Sequence, residues 1–201
     1  MLNADIYFAI VHVNFGLRGD DADADEKFVA DFARQNDLVY YVKKVNTKEY
    51  ASEKGISIEM AARELRYTFF DELMRSHNYD YLLTAHHFND DIETLLIKLG
   101  RGSTLRGISG IKEMQGKILR PLLKITRREI KDWADQNKVQ WREDSSNAMD
   151  DYIRNKIRHR IIPVMEGIFP NFYKSAGHSM DLLKGDYEAL TALLREKLSQ
   201  N

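Results

Sequence analysis

The sequence predicts an α/β fold in which a parallel sheet carries helices on both faces and is followed by a helical C-terminal extension. Two observations lead to this class. Short apolar runs typical of strands alternate with longer stretches in which apolar residues recur at three- and four-residue spacing, the pattern of amphipathic helices. Strands and helices that alternate in this way form β-α-β units, and their right-handed crossovers place helices on both sides of a parallel sheet.

The first half of the chain shows this alternation most clearly. Apolar runs predict strands at residues 6–13, 38–45 and 81–85, and amphipathic patterns predict helices at residues 23–35 and 58–76. A further helical stripe follows the third strand and consists of Ile92, Leu95, Leu96 and Leu99. The chain therefore passes from strand to helix within residues 84–101, and such junctions are where open α/β sheets bind ligands.

A glycine-rich segment, residues 101–116, opens the second half of the chain, and we predict a loop there that Pro121 closes. Thr126 and Glu129 have the spacing of a capping box, which opens another helix. Residues 139–141 form a short apolar run, which predicts a strand.

The last part of the chain is predicted to be helical. A short helix spans about residues 151–162 and ends at Pro163, and a long helix follows Pro170 almost to the C-terminus. The long helix carries an apolar stripe of Tyr173, Ala176, Met180, Leu183, Tyr187, Leu190 and Leu194. We expect this stripe to pack within the chain; a homodimer contact or a further domain is the alternative. The predicted domains are residues 1–150, which carry the α/β pattern, and residues 151–201, a helical linker or extension.

Composition narrows the class of protein. The chain has 201 residues, 43% of them hydrophobic, and a formal net charge of −1, which argues against wholesale wrapping of nucleic acid. It has no cysteine, which excludes disulfides and cysteine-ligated zinc or iron–sulfur sites within these residues, and this fits the cytoplasm where we place the protein. No apolar stretch reaches the roughly 18 residues that a membrane helix needs, so we expect no membrane association.

Two acidic residues open the helix of the 84–101 junction. Asp90 and Glu93 are three residues apart, so they share a helix face and could jointly hold a divalent cation or a protonated nucleophile. The helix dipole also favours acidic residues in a first turn, so a purely capping role stays open. His86 and His87 end the preceding strand, where imidazoles can donate to phosphate or ligate a metal ion, although a buried histidine is more often structural.

Three further groups carry residues suited to ligand binding. After the first strand, Gly16 and Gly19 let backbone amides approach a ligand, and Arg18 adds a fixed positive charge. Arg154 and Arg158 are four residues apart on a predicted helix and form a pair suited to phosphate, with a solvated basic face as the alternative.

The third group is Glu59, Arg63 and Arg66, which share one helix face. A surface ion-pair ladder, stabilising by about 0.2–0.5 kcal/mol per pair, is the alternative to a binding role.

Five sequence strings occur together and in a fixed order. They are HVNFGLRG, EMAARELRY, LLTAHHFNDDIETLLIKLGRGS, ILRPLL, and EDSSN followed by YIRNKIRH. This set resembles the tRNA(Ile)-lysidine synthetases, ATP pyrophosphatases of the PP-loop group with an adenine-nucleotide α-hydrolase-like fold. One such string would be weak evidence, whereas five in order identify the family.

The resemblance implies an ATP- and Mg²⁺-dependent ligase. It implies that the wobble cytidine of an isoleucine tRNA with a CAU anticodon is adenylated, and that the amine of free lysine then displaces AMP to form lysidine. When the family's site residues are matched to this sequence, the resemblance implies that Asp90, Glu93, Arg154 and Arg158 are catalytic and that Asp90 is a metal ligand. The nucleotide would contact His12, Asn14, Gly16, Arg18 and His86, and the tRNA would contact Arg63, Arg66, His87 and Arg101.

Several positions depart from the family pattern. Phe15, Asn89 and Thr104 stand where His, Asp and Gly are more frequent. The family's phosphate-binding loop, Ser-Gly-Gly-x-Asp-Ser, has no counterpart, because the sequence contains no Ser-Gly-Gly. We therefore expect this chain to be an N-terminally truncated catalytic domain with little activity by itself.

Three other functions stay open. A tRNA-thiolating enzyme shares the fold, but its cluster-bearing forms need cysteines. A metal-dependent phosphohydrolase could use His86, His87, Asp90 and Asp91. A non-catalytic tRNA-binding module would use the basic residues alone, and its affinity would fall steeply with salt.

Overall fold

A computed structural model describes residues 7–144 and 153–199. They belong to two compact units, Met1–Leu82 and Leu83–Asn201. The predicted domain boundary at residue 150 therefore differs from the boundary between these units and remains a prediction.

The first unit is built around a β-α-β unit. Strand β1 (Ala9–Asn14) is followed by helix α1 (Asp20–Gln35) and strand β2 (Val39–Lys44). The two strands are parallel, with Ala9 opposite Val39 and Asn14 opposite Lys44. This topology confirms the predicted parallel pairing.

Two more helices complete the first unit. Helix α3 (Ile58–Ser76) has the predicted bounds, and Ser57 caps it by accepting a hydrogen bond from Met60 N. Helix α2 (Thr47–Lys54) was not predicted, because eight residues with little apolar periodicity give no stripe. Its caps were nevertheless visible in the sequence: Asn46 accepts from Glu49 N, and Gly55 ends the helix in the left-handed conformation.

Strand β3 (Leu82–Leu83) spans the boundary between the units in sequence, and helices α4 (Phe88–Gly100) and α5 (Leu105–Ile108) follow it in the second unit. Strands β4 (Met114–Gln115) and β5 (Ile118–Leu119) form an antiparallel hairpin, and the sheet order is β3-β5-β4. The segment predicted as a loop, residues 101–116, thus contains α5 and the first strand of this hairpin. Among the described residues, the strands form the parallel pair β1-β2 and the sheet β3-β5-β4, and the antiparallel hairpin in the latter was not predicted.

Helix α6 (Arg127–Gln136) starts at the predicted capping box, in which Thr126 and Glu129 exchange hydrogen bonds. The strand predicted at residues 139–141 is wrong. Lys138 follows Asn137, the C-cap of α6, and has a positive φ of 55°. Trp141 then lies under the Lys131 ammonium, which is 5.0 Å from its ring centroid. This segment therefore packs on α6 instead of pairing in a sheet.

The C-terminal part is helical, as predicted. Helix α7 (Ile153–Lys156) passes through a π-helical turn (Ile157–Ile161) into α8 (Ile162–Ile168), and α9 (Phe172–Ser199) follows. The prediction that a helix ends at Pro163 is wrong. Pro163 lies just after the π-helical turn, at the second residue of α8, and the helix continues beyond it to Ile168. The predicted start of this region at residue 151, and residues 145–147 of the EDSSN string, lie outside the described residues.

The core of the second unit contains the first three residues of the apolar stripe on α9. Ile92, Ile162, Phe172 and Met180 are buried together, and Tyr173 and Ala176 pack against them. The stripe therefore packs within its own unit near its start, whereas Leu190 and Leu194 are 50% and 53% exposed. Across the two described stretches of chain, no helix is long and apolar enough to cross a membrane.

Candidate active site at the start of helix α4

Helix α4 begins with a reciprocal cap that uses two of the predicted site residues. The His87 ring accepts a hydrogen bond from Asp90 N at 3.4 Å, and the Asp90 carboxylate accepts one from His87 N at 3.0 Å. Asp90 therefore has the capping role that the sequence left open. Its other carboxylate oxygen, Oδ1, lies 3.8 Å from Nη2 of Arg158, so it faces the rest of the predicted site.

Glu93 lies at the centre of the site and is fully buried. Arg158 binds it with both arms of the guanidinium, Nε to Oε1 at 2.6 Å and Nη2 to Oε2 at 3.0 Å. The Nε of Arg154 lies 3.6 Å from Oε2. A buried carboxylate needs such partners because an unpaired charge in the interior is strongly unfavourable.

The two arginines differ in how much of them solvent can reach. The side chain of Arg154 is 41% exposed and that of Arg158 is 20% exposed. Burial lowers the pKa of Arg158, but the hydrogen bond and charge of Glu93 outweigh it and raise that pKa overall. Arg154 also donates to Thr94 Oγ1 at 3.1 Å, and Thr94 donates to the Asp90 carbonyl at 2.7 Å.

These contacts confine two carboxylates and two guanidiniums to one small site. Glu93 has both oxygens bound by Arg158, so its carboxylate holds the arginines in place. Asp90 keeps one carboxylate oxygen outside the cap, and Arg154 keeps much of its surface open to solvent. The arrangement can therefore present a carboxylate to an amine and a guanidinium to a phosphate at the same place.

Asn89, one of the departures from the family pattern, has specific partners. Its amide nitrogen donates to the Tyr173 hydroxyl at 2.7 Å, and its oxygen accepts from Arg127 N at 2.9 Å. Burial is the main reason that the pKa of Tyr173 is raised. Asn89 thus ties the start of α4 to the starts of α6 and α9.

The structure does not bring every predicted residue of this unit to the site. His86 makes a 2.9 Å hydrogen bond between its Nδ1 and Thr84 Oγ1. Arg101 caps the opposite end of α4, and with about 1.5 Å of rise per residue it lies well away from Asp90. Among the described residues, no group of three or more His, Asp or Glu side chains could hold a metal ion. The set proposed for a hydrolase, His86, His87, Asp90 and Asp91, does not form such a group.

The predicted nucleotide-binding residues of the first unit make internal contacts. Asn14 is 4% exposed and donates to Asp23 at 2.8 Å and to Glu26 at 2.9 Å. Its oxygen accepts from Gly16 N at 3.1 Å, and Gly16 has a positive φ of 64°, which suits glycine.

Other side chains in the same unit are also paired. Arg18 pairs with Asp25 at 2.8 Å. Burial is the main cause that lowers the pKa of His12. The Arg66 guanidinium carbon lies 5.0 Å from the Phe15 ring centroid, and that of Arg63 lies 4.7 Å from the Tyr67 centroid. Nucleotide and tRNA binding by this group remains a prediction.

Sequence reasoning missed Thr94 and Tyr173 as site residues. Thr94 had a usable signal, because it lies four residues after Asp90 on the helix and directly after Glu93. Tyr173 had none, since in the sequence it is one member of an apolar stripe.

Comparison with known proteins places these features in a family. Residues 2–165 match the PP-loop domain family. The chain is 35% identical over 193 residues to the tRNA(Ile)-lysidine synthase of Bacillus subtilis, covering 94% of this chain and 41% of that protein. It is 42% identical over 178 residues to the enzyme of that name from Chlorobaculum tepidum, covering 86% of this chain and 54% of that protein.

A third relative, from Bacteroides thetaiotaomicron, carries the same name and is 42% identical over 164 residues, covering 82% of this chain and 38% of that protein. The chain thus spans roughly half or less of the length of these relatives. Among solved structures, the U34-tRNA thiolase NcsA from Methanococcus maripaludis, solved with its 4Fe-4S cluster, matches with a TM-score of 0.63 at 18% identity. The match covers 87% of this chain and 60% of that one, and at this identity the likeness concerns the fold.

Proposed function

This chain belongs to the PP-loop domain family, and we propose that it is part of a cytoplasmic tRNA(Ile)-lysidine synthase. In that reaction the C2 oxygen of the wobble cytidine attacks the α-phosphorus of ATP, and pyrophosphate leaves. The ε-amine of lysine then attacks C2, the C2–oxygen bond breaks, and AMP leaves with that oxygen. ATP is the nucleotide expected from the family, and isoleucine tRNA and lysine are the substrates that the proposal adds.

The observation that carries the proposal is the contact between Glu93 and Arg158, which are 65 residues apart in sequence. Each residue belongs to a different one of the five family-like sequence strings. Packing alone does not require an arginine to bind a fully buried glutamate with both arms of its guanidinium. The site also has both polarities that the second step requires, a carboxylate for an ammonium group and a guanidinium for a phosphate.

We assign separate roles to the four residues. Asp90 accepts a hydrogen bond from the ε-ammonium of lysine through the oxygen that is not used in the cap, and this carboxylate is the base that takes the proton before the amine attacks. Arg154, the more exposed arginine, contacts the phosphate of the adenylated cytidine. Glu93 and Arg158 are positioning residues, since each satisfies the other and together they fix Arg154.

Mg²⁺ in nucleotide-dependent enzymes is usually held by one or two carboxylates together with substrate phosphates and water. Asp90 is the one predicted metal ligand, and the described residues contain no group of three or more acidic or histidine side chains that could hold the ion by themselves. We therefore assign no step to the ion.

The proposal is tested by measuring pyrophosphate release from ATP with and without isoleucine tRNA bearing a CAU anticodon. Because the sequence contains no Ser-Gly-Gly, the assay has two arms: the chain alone, and the chain fused to the Ser-Gly-Gly-x-Asp-Ser segment of a relative. Release that depends on this tRNA in either arm supports the proposal. Release that is equal without tRNA, or absent from both arms with the protein folded, contradicts it.

A further inference from the structure

Arg120 is a buried cation that the site described above does not use. It is 6% exposed, and its Nη1 donates to the Lys112 carbonyl at 2.7 Å. Its Nε is buried and has no hydrogen-bond partner; within residues 7–144 and 153–199 no other buried side-chain nitrogen or oxygen is in this condition. A buried guanidinium with a neutral carbonyl as its partner is unfavourable, and such a group calls for an anion.

A groove of about 300 Å³ lies beside Arg120. This volume is at the lower end of the roughly 300–1,000 Å³ that small-molecule sites occupy, so it suits a ligand the size of an amino acid. Its apolar lining comes from Met114, Leu119, Pro121 and Leu123. An aliphatic chain can lie along such a wall.

The lining of the groove also includes an acidic residue. Glu113 lines it, and the backbone carbonyl of Glu113 accepts a hydrogen bond from the backbone N–H of Arg120 at 2.8 Å, so the two backbones lie side by side. Lys124 lines it too, but its ammonium is bound by Asp181 at 2.6 Å. The lining therefore combines one carboxylate, apolar side chains and the Arg120 guanidinium, which forms no ion pair among the described residues.

We propose that this groove binds the backbone end of a free amino acid. Arg120 binds the α-carboxylate, Glu113 binds the α-ammonium, and the side-chain methylenes lie on the wall formed by Met114, Leu119 and Leu123. The inference rests on the proposed function, in which the amino acid is lysine. The groove shares Glu113, Leu123 and Lys124 with a small cavity whose lining includes Asp91, the residue after Asp90, so it continues towards the start of α4.

The test is calorimetric titration of the chain with lysine, with cadaverine, which lacks the carboxylate, and with 6-aminohexanoate, which lacks the α-ammonium. A lost charge-assisted hydrogen bond weakens binding roughly ten- to hundredfold, so both analogues should bind at least about tenfold more weakly than lysine. Arg120→Gln should weaken lysine binding by a similar factor and leave cadaverine binding unchanged. Arg128→Gln, which changes an exposed arginine of α6, is the matched control and should bind all three ligands like the parent chain.

Equal affinity for lysine and cadaverine overturns the proposal, and so does the absence of lysine binding. Competition by inorganic phosphate that abolishes the difference between lysine and cadaverine also overturns it, because Arg120 would then be a general anion site. The ligand series on the unmodified chain decides the question if Arg120→Gln does not fold. These titrations need neither ATP nor tRNA, so failure of lysidine formation and failure of the groove assignment give separate results.

Discussion

Removing the charge of Glu93 should destabilise the protein far more than removing a surface charge. Glu93→Gln keeps the shape of the side chain but replaces one oxygen with an NH2 group that faces the donors of Arg158. Breaking a buried ion pair by changing one partner costs about 3–5 kcal/mol. Arg158 is 20% exposed and Asp90 remains 3.8 Å away, so we expect a loss of about 2–3 kcal/mol in the free energy of unfolding.

The neighbouring arginine supplies an internal comparison. Arg154 is 41% exposed and its Nε lies 3.6 Å from the same carboxylate. Its pair with Glu93 should therefore contribute within the range of exposed ion pairs, about 0.2–1 kcal/mol. Arg154→Gln is expected to destabilise by less than Glu93→Gln.

Urea unfolding followed by far-ultraviolet circular dichroism measures these differences. Arg128→Gln is the control, because its side chain is 91% exposed and lies 3.8 Å from Asp132; a change of less than about 0.5 kcal/mol is expected. A double-mutant cycle of Glu93→Gln with Arg158→Gln should give a coupling energy of at least about 1 kcal/mol. The reasoning is refuted if Glu93→Gln unfolds like the Arg128→Gln control, or if Arg154→Gln is the more damaging change.

Two further predictions concern helix packing and pH. In α9 a methyl group at Gly177 would lie 2.6 Å from Cζ of Phe88, whereas one at Gly185 meets nothing within 4 Å. Gly177→Ala should therefore destabilise by about 1–3 kcal/mol and Gly185→Ala stabilise by about 0.5–1 kcal/mol, as urea midpoints would show; equal effects would contradict the packing. The lowered pKa of His12 means that the unfolded chain, with its ordinary value of 6.5, takes up a proton first as the pH falls. Stability should drop below pH 6.5, a drop that His12→Gln reduces, and a midpoint at or above 6.5 in an NMR titration of His12 would contradict this.

Local sequence patterns predicted the elements whose stabilising interactions are themselves local. Helix α3 follows its apolar spacing from end to end, and α6 begins at the capping box of Thr126 and Glu129. The junction before α4 was also predictable, because a strand followed by an amphipathic helix needs no distant contacts to be seen. Asp90 and Glu93 were recognised there for the same reason.

Contacts between distant segments could not be predicted from spacing. Nothing in the residues around Glu93 indicates that it is fully buried or that Arg158 binds it. The sequence instead suggested Arg154 and Arg158 as a pair for phosphate, and the structure gives Arg158 an internal carboxylate partner. The buried Nε of Arg120, which has no hydrogen-bond partner, is a further case. Whether a polar atom is buried without a partner depends on how distant segments pack.

The central claim is that Asp90 and Arg154 form the working surface of a lysine-attaching site. The most direct measurement is incorporation of labelled lysine into isoleucine tRNA with a CAU anticodon, using the chain fused to a Ser-Gly-Gly-x-Asp-Ser segment. Incorporation that requires ATP and falls at least about a hundredfold in Asp90→Asn and Arg154→Gln, but not in Arg128→Gln, is the predicted result. Incorporation that persists in both site variants, or none in the folded fusion, would contradict the claim.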